Sequence, residues 1–299
     1  MSSSIILNKH NIINKDNNEL VYKFPKSITF GKNDSISLTH LNVYFSWFNI
    51  SAKNKNNFFQ YKWWNELGEL IPYDVNIPSG YYSLSDLNEF LISVMVKNLH
   101  YIVFNDSFGY FIELLSNSVY YSIEIRLSSI GRYMTKDGIV YDITTSDQMF
   151  IPGNWIVPES SFECPELIFP NNNLFYQLLG FQKGSSLIQN TIGDTFNKQY
   201  SFLNSEVPNM EPNSSFIITC NLIKNDLGSP QNILTSFTIP SGVGFGDLIS
   251  PIDNVIYSII REGIYDFISL KIYDQNFEPL IILDSNMLLI LSIIQNIIV

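Results

Sequence analysis

Apolar and polar residues alternate in short runs along most of the chain, and clusters of Gly, Pro, Asn, Asp and Ser separate these runs. Alternation with a period of two is typical of strands that bury one face. In the first part of the chain this pattern predicts strands at 35–50, 57–64 and 70–77. In the last part it predicts strands at 215–223, 232–239, 255–260, 266–273, 278–283 and 287–294. Short strands at roughly 8- to 12-residue spacing indicate an antiparallel sandwich such as a jelly roll.

The run at 35–50 contains a change of phase. Its apolar positions are Ile36 and Leu38 on one parity, then Leu41, Val43, Phe45 and Trp47 on the other. A one-residue shift inside a strand pattern is typical of a β-bulge, in which two residues oppose a single partner residue. We therefore predict a bulge near Thr39 and His40.

A helix is predicted after residue 83. Ser83 and Asp86 have the spacing of a capping box, and Tyr82 is placed to pack on Leu87 as a hydrophobic staple. The apolar stripe that follows has helical spacing and consists of Leu84, Leu87, Leu91, Val94 and Met95. These local signals are sufficient to explain a stable helix start.

The loop before this helix, Ile77-Pro78-Ser79-Gly80, is expected to form a type II turn because Pro restricts φ and Gly tolerates a positive φ. Anion binding at the helix N-terminus is the alternative role for this loop. The absence of Lys and Arg between Lys62 and Lys97 disfavours it.

The region between the two sets of strands has a less regular pattern of predicted elements. A hairpin is predicted at 101–114 with its turn at Asn105 to Gly109, and another strand at 119–127. Four prolines between 152 and 170 interrupt any long element, and "NLFYQLLGF" at 173–181 predicts a short helix that Gly180 ends.

The predicted fold is therefore mainly β, with one antiparallel jelly-roll sandwich interrupted by an insertion. Its first part is 1–77, including an N-terminal arm, and its second part is 205–299. The inserted region, 78–204, is predicted to be mostly β with one or two short helices.

Charge excludes one class of partner. The formal net charge is −11, from 28 acidic and 17 basic residues, so specific nucleic-acid binding is not expected. A basic N-terminal segment is the one candidate contact to nucleic acid, and it contains Lys9, His10, Lys15, Lys23, Lys26 and Lys32. We expect it to be a partly ordered polar arm instead. Only 15% of all residues are charged, which favours a surface that packs against other protein.

Cys164 and Cys220 have neither disulfide-framework nor zinc spacing. The start "MSSSIILNKH" lacks the features of a signal peptide, so synthesis in the reducing interior of a cell is expected. The apolar end, 281–299, is divided by Asp284 and Asn286 and is too short to span a bilayer as a helix. We predict a buried terminal strand there and no membrane span.

Candidate chemistry is sparse. His10, His40 and His100 form no metal-ligand pattern, and His40 and His100 are expected to be structural. A loose group of carboxylates contains Asp137, Asp142, Asp147, Glu159, Glu163 and Glu166, and a glycosidase would need two of them facing one cleft. "GVGFG" at 242–246 lacks the lysine and the spacing of a phosphate-binding loop and is predicted to be a flexible connection. We predict no catalytic, cofactor-binding or metal-binding residues.

Aromatic side chains are the remaining signal. The candidates for protein contacts or sugar stacking are Tyr61, Trp63, Trp64, Tyr81, Tyr82, Tyr120, Tyr121 and Trp155. Because core packing of a β domain uses the same residue types, half or more of them are expected to be internal.

The order of several segments resembles a known family. "LTHLNVYFSWFNI", "NNFFQYKWW" and "IPSGYYSLSDLNEFL" occur in the first half, and "LLGF", "MEPNSSFIITCNLI", "FTIP" and "YDFISLKIYDQNFEPLIILDSNMLLILSI" in the second. Together they resemble the penton, or minor capsid, proteins of virophages and of Maverick/Polinton-type elements, over most of residues 35–299. Residues 131–170 match no part of the family, and connections that often contain "GSY" and "NG" appear here as "NDLGSP".

The resemblance implies a structural virion protein rather than an enzyme. It implies a jelly roll standing upright at the fivefold vertex of an icosahedral capsid, with five copies per vertex and the inserted region as an outward-facing upper domain. The expected partners are further copies of the chain, in a homopentamer, and the major double-jelly-roll capsid protein. The expected location is the capsid vertices, after synthesis and assembly in the host cytoplasm. The family has no catalytic residues to carry over.

A second class of function is a jelly-roll protein that binds carbohydrate or a receptor. In this alternative, exposed Trp and Tyr side chains of residues 107–204 stack on glycans, and a host-cell surface glycan or receptor is the partner. Both roles are compatible if the inserted region faces outward. The third class of function is a glycosidase.

Overall fold

The computed structural model describes residues 2–14, 18–104, 107–130, 132, 135–136, 139–140, 149–156, 163–187, 199–211, 213–251 and 255–296. The chain divides into two compact units. One consists of Met1–Trp47 with Asn213–Val299, and the other of Phe48–Pro212. Strands are the main secondary structure of the described residues, and every pair of strands in them that is hydrogen-bonded is antiparallel. The predicted mainly β fold is confirmed, with several antiparallel sheets as in a jelly roll.

The strands of the first unit come from both ends of the chain. They are β1 (Ser2–Asn8), β2 (Ile13–Asn14), β3 (Glu19–Phe30), β4 (Ser35–Tyr44), β17 (Ser215–Cys220), β18 (Ile233–Thr238), β19 (Leu248–Ile249), β20 (Ser258–Ile259), β21 (Gly263–Asp274) and β22 (Leu288–Ile294). One five-stranded sheet has the order β1-β22-β4-β19, and β20 also pairs with β4. The other has the order β18-β17-β21-β3-β2.

The second unit contains the remaining elements. They are β5 (Phe58–Trp64), β6 (Leu70–Asn76), α1 (Leu84–Lys97), β7 (Ile102–Phe104), β8 (Ser107–Gly109), β9 (Ile112–Asn117), β10 (Ser122–Ser128), β11 (Thr135–Lys136), β12 (Ile139–Val140), β13 (Met149–Phe150), β14 (Glu166–Ile168), α2 (Phe175–Leu179), β15 (Ser186–Leu187) and β16 (Gln199–Leu203). Its sheets have the orders β15-β14-β5-β6, β16-β10-β9, β13-β7-β8 and β11-β12.

The predicted bulge in β4 is confirmed. The pairing of β4 with β22 shifts register where Ile290 faces His40 and Leu291 faces Leu38, which leaves Thr39 as the extra residue. The Thr39 hydroxyl donates to the Ile290 carbonyl over 3.0 Å. Because a shift by one residue exchanges the two faces of a strand, the bulge lets the apolar positions before and after it point to the same side.

Two sequence-based expectations for the first unit were wrong. The expected polar N-terminal arm contains the strands β1, β2 and β3. Residues 2–8 pair in register with β22 and Leu7 is fully buried. β3, which includes Lys23 and Lys26, pairs with β21. Residues 278–283 do not form a strand. The Ser46 hydroxyl oxygen accepts from the Leu283 and Asp284 N–H groups at 3.1 and 2.9 Å, so a side chain satisfies backbone groups that a strand ladder would otherwise bind.

Helix α1 begins as predicted. The Ser83 hydroxyl accepts from the Asp86 N–H at 3.1 Å, and the Asp86 carboxylate accepts from the Ser83 N–H at 2.8 Å. Leu87, Leu91 and Met95 are its buried residues. The ring of Tyr82, which was expected to pack on Leu87, makes an edge contact with Phe90, at a centroid distance of 6.3 Å.

The loop before α1 differs from the predicted type II turn. Gly80 forms an isolated bridge with Ile50, through hydrogen bonds of 3.0 and 3.1 Å in the two directions. A Cβ at Gly80 would lie 2.8 Å from Cε2 of Tyr82. Gly80 does not have a positive φ, and a side chain there would instead displace the Tyr82 ring.

The division into units also differs from the predicted boundaries at 77/78 and 204/205. Strands β5 and β6 belong to the second unit because β14 pairs with β5 and their side chains line that unit's core. The predicted short helix is confirmed as α2, which ends at Gly180 with φ of 76°.

Candidate interaction surface

Half of the aromatic candidates lie inside the protein, as expected. Tyr61, Trp63 and Trp64 are 0% exposed and Trp155 is 7% exposed. Tyr61, Trp64 and Trp155 have internal hydrogen-bond partners, and the Leu99 carbonyl, for example, accepts from the Trp155 indole N–H at 2.9 Å. The Trp63 indole N–H is buried without a hydrogen-bond partner among the described residues. These four rings pack the core of the second unit and offer no surface to a ligand.

The other four candidates reach the surface to different degrees. The Tyr81 hydroxyl donates to Glu211 at 3.0 Å, and the Tyr82 hydroxyl donates to the Pro78 carbonyl at 3.0 Å. Tyr120 and Tyr121 are 70% and 74% exposed at the turn between β9 and β10.

His100 is structural, and its surroundings keep it neutral. Its ring stacks on Trp63 at a centroid distance of 4.8 Å, and its Nδ1 accepts from the Tyr61 hydroxyl at 2.7 Å. The Tyr61 hydroxyl itself accepts from the Asn98 side-chain amide at 2.8 Å, which directs its own proton to His100. Burial lowers the pKa of His100 to about 4, because the charged imidazolium would lose its hydration.

Both cysteines are inert by position. Cys164 and Cys220 are buried free thiols, and burial raises the pKa of each to about 12. For Cys164, the neighbouring Glu166 and Glu163 add to the effect of burial.

The loose carboxylate group is not assembled into a cleft by its described members. The Glu166 carboxylate lies 2.7 Å from the Lys62 ammonium, and the Glu163 carboxylate accepts from the Trp64 indole at 3.3 Å. Asp137, Asp142, Asp147 and Glu159 lie outside the described residues. Among the residues that the structure describes, no group of three or more His, Cys, Asp or Glu is placed to hold a metal ion.

The glycine-rich segment at 242–246 connects strands, as predicted. Gly242 and Gly246 have φ of 85° and 90°, and the Gly246 N–H donates to the Phe45 carbonyl at 2.7 Å. Within the described part of the chain, no helix has the length and apolarity needed to cross a membrane. The predicted terminal strand is β22.

One exposed aromatic surface was missed by the sequence analysis. It lies on the sheet β13-β7-β8, where Val103 faces Phe108 on one side and Phe150 on the other. Phe108 and Phe150 are 57% and 56% exposed, and Val103 is half-buried. We call this surface, with Tyr101 and Tyr110 at its ends, the aromatic face. The signal in the sequence was the spacing of two between Tyr101 and Val103 and between Phe108 and Tyr110, on either side of the predicted hairpin.

A second group of exposed side chains lies in the first unit, in a segment that contains β20 and the start of β21. We call residues 255–267 the apolar segment. Its exposed apolar side chains are Val255 (45%), Ile256 (69%), Tyr257 (44%), Ile259 (60%), Ile264 (72%) and Phe267 (46%). Three charged residues of the same segment, Arg261, Glu262 and Asp266, are also exposed. Single exposed apolar residues are common on protein surfaces, whereas a concentration of them is typical of an interaction site.

Comparison with known proteins gives matches among solved structures. The chain is similar to the mavirus penton protein, with 13% sequence identity and a TM-score of 0.45, over 99% of both chains. It is also similar to a chain in the cryo-EM structure of the Sputnik virophage, with 12% identity and a TM-score of 0.37, over 98% of this chain and 97% of that one. No protein-family model matches the chain, and neither does any curated protein. The sequence segments likewise resemble the penton proteins of virophages.

Proposed function

We propose that this protein is a non-enzymatic minor capsid protein that forms the fivefold penton vertices of an icosahedral virion. The observation that carries the proposal is the way in which the two ends of the chain complete one unit. β4 and β22, which come from opposite ends of the chain, pair along seven positions of one sheet. Residues 48–212, which lie between these two strands in the sequence, form a separate compact unit. An interrupted sandwich of this kind is what the family resemblance implies.

In this proposal the first unit is the jelly roll that stands in the shell, and the second unit is the upper domain that faces outward. Five copies assemble at each vertex and contact the major double-jelly-roll capsid protein. The protein acts by packing, so its contacts are expected to be apolar and weakly charged. The apolar segment supports this role, because it leaves five large aliphatic or aromatic side chains between residues 255 and 264 open to a partner.

Co-expression with the major capsid protein from the same genome tests the proposal. We expect the protein to co-sediment with assembled capsids. The double variant Ile256→Asp with Ile264→Asp is expected to reduce its incorporation at least tenfold, because each substitution places a charge in a contact that becomes desolvated.

The matched control is the double variant Val119→Asp with Val207→Asp, which adds the same charge at side chains that are 83% and 69% exposed in the other unit. We expect this variant to enter capsids like the wild type. If capsids from the co-expression do not contain the wild-type protein, the penton function is contradicted. Normal incorporation of the double variant would contradict only the role of the apolar segment.

The second candidate function is recognition of a glycan or receptor by the inserted unit. A specific surface supports this candidate, because several exposed aromatic rings of that unit lie together on the aromatic face. The rings that the sequence analysis favoured for stacking are partly internal, and Trp155 among them is buried.

A further inference from the structure

The aromatic face is the most developed exposed surface in the second unit. The paired register brings Val103, Phe108 and Phe150 to one side of a three-stranded sheet, since residues directly opposite one another project to the same face. The other side of this sheet faces the core, where Ile102 is 0% exposed and is paired with the buried Gly109. The exposed rings therefore cover a sheet whose other side already has its packing partner.

The rings form a platform with one raised side. Phe108 and Tyr110 are nearly parallel, with an angle of 22° and a centroid distance of 6.4 Å. This distance is about the rise of two strand residues, as expected for side chains at positions i and i+2. Tyr101 is inclined by 64° to Phe108 at 5.8 Å and contacts Tyr110 at 6.3 Å.

The size of the platform favours a small ligand over a protein. Three strands about 4.8 Å apart, each contributing roughly two outward residues, cover on the order of 100–200 Å². A stable protein interface buries about 800 Å² on each partner. The aromatic face alone is therefore too small for a second copy of the chain, and its dimensions correspond to a few sugar rings.

Charge also restricts the ligand. The five side chains of the aromatic face are uncharged, and so are Ile102, Ser107, Gly109 and Phe111 beside them. Flat apolar rings, some of which carry a hydroxyl group, complement the apolar faces and the equatorial hydroxyls of pyranose sugars. An anionic or cationic ligand would find no counter-charge on these residues.

We propose that the aromatic face binds a neutral oligosaccharide, with sugar rings stacked on Phe108 and Tyr110 and bordered by Tyr101. This binding function does not depend on the penton function, and the residues involved lie in the other unit from the apolar segment.

Saturation-transfer NMR on the full chain tests the proposal. The probes are cellotriose, chitotriose and N-acetyllactosamine, each titrated to about 10 mM, since platforms of this size give dissociation constants on the order of millimolar. We expect saturation transfer to at least one of the three. Phe108→Ser is expected to weaken that binding at least tenfold.

Two further variants complete the experiment. Tyr120→Ser removes a ring that is 70% exposed outside the aromatic face, and we expect it to bind like the wild type. If circular dichroism shows that Phe108→Ser is unfolded, Phe108→Leu removes the ring and keeps an apolar side chain, and the same tenfold loss is expected.

Several results would overturn the proposal. They are no transfer to any of the three sugars, equal binding by the folded Phe108 variant, and a loss of binding by Tyr120→Ser that equals the loss by Phe108→Ser. Two further measurements test alternative roles of the face. Sedimentation velocity measures self-association, and flotation with phosphatidylcholine vesicles measures membrane binding. If Phe108→Ser abolishes self-association or vesicle binding while no sugar binds, the face serves a protein or a membrane instead. Capsid incorporation of Phe108→Ser is expected to be normal, so failure here is distinct from failure of the penton function.

Discussion

At the scale of single residues, His100 occupies a position where a positive charge is costly. Its ring lies between Trp63 and Tyr73, with a centroid distance of 4.5 Å to the Tyr73 ring, and its Nδ1 is the acceptor for the Tyr61 hydroxyl. Protonation would turn that acceptor into a donor and would place a charge among aromatic rings. The folded state therefore binds a proton at this site less readily than the unfolded chain does.

This difference predicts a loss of stability in mild acid. The pKa of His100 is lowered from 6.5 to about 4, so the unfolded chain binds the additional proton between these two pH values. The contribution of His100 to stability is complete above pH 6.5 and is lost as the pH falls towards 4. The loss amounts to at most about 3 kcal/mol, from about 1.4 kcal/mol for each pH unit.

The measurement is the free energy of unfolding of the full chain in urea at several pH values, compared with His100→Asn. Asn keeps an acceptor for the Tyr61 hydroxyl but does not titrate, so the carboxylate contributions are common to both proteins. We expect the wild type to lose stability more steeply than the variant between pH 6.5 and 4. Parallel curves would contradict the account of His100.

Residue types and their neighbours in sequence were sufficient to predict some sites but not others. Cys220 has the same parity along the chain as Phe216 and Ile218, a pattern that predicts burial, and all three residues are buried. The role of Gly80 was not predictable, because the ring of Tyr82 that a side chain there would displace comes close only through the conformation of the loop.

At the scale of elements, the end of α2 shows how one residue joins a helix to its neighbour. Gly180 has φ of 76°, and a Cβ there would lie 2.4 Å from the Glu206 carbonyl oxygen. The Glu206 N–H donates to the Gly180 carbonyl at 3.0 Å, so the two backbones are held together. Glycine is required both by the left-handed conformation and by this close approach.

Gly180→Ala is therefore expected to destabilise the protein by roughly 3 kcal/mol or more, from about 1 kcal/mol of backbone strain and the remainder from the clash with backbone atoms. The control is Gly68→Ala in the same unit. Gly68 has φ of 77°, but the nearest atom to its Cβ would be 3.9 Å away. We expect the control to lose only about 1 kcal/mol in urea unfolding. Equal losses in the two variants would show that the approach of residue 206 is not tight.

Most of the long elements were predictable because their signals are local. The phase change in β4 predicted its bulge, and Ser83 and Asp86 predicted the start of α1. β1 was missed because what orders it is the free edge of β22, almost three hundred residues away. The false strand at 278–283 has an apolar composition, but Ser46 binds its backbone. Pairings of this kind depend on distant partners that no local pattern contains.

At the scale of the whole molecule, the strand pattern predicts an interrupted chain with boundaries at 77/78 and 204/205, and the two compact units divide the chain at 47/48 and 212/213. Two groups of regular strands on either side of an irregular region indicated an insertion. The second unit, however, begins at Phe48 instead of residue 78, because Trp63 and Trp64 on β5 pack into its core. The same residues had been considered for ligand contacts. The aromatic face was hidden because its three strands are short and only their pairing brings Phe108 and Phe150 together.

The central claim is that this chain occupies the capsid vertices, with the first unit in the shell and residues 48–212 outside it. The most direct measurement is cryo-electron microscopy of capsids co-assembled from this protein and the major capsid protein, with a localised reconstruction at the fivefold axes. We expect five copies around each axis, with the two five-stranded sheets at shell radius and the second unit projecting outward. Vertices that lack this chain, or that contain it with the second unit directed inward, would contradict the account.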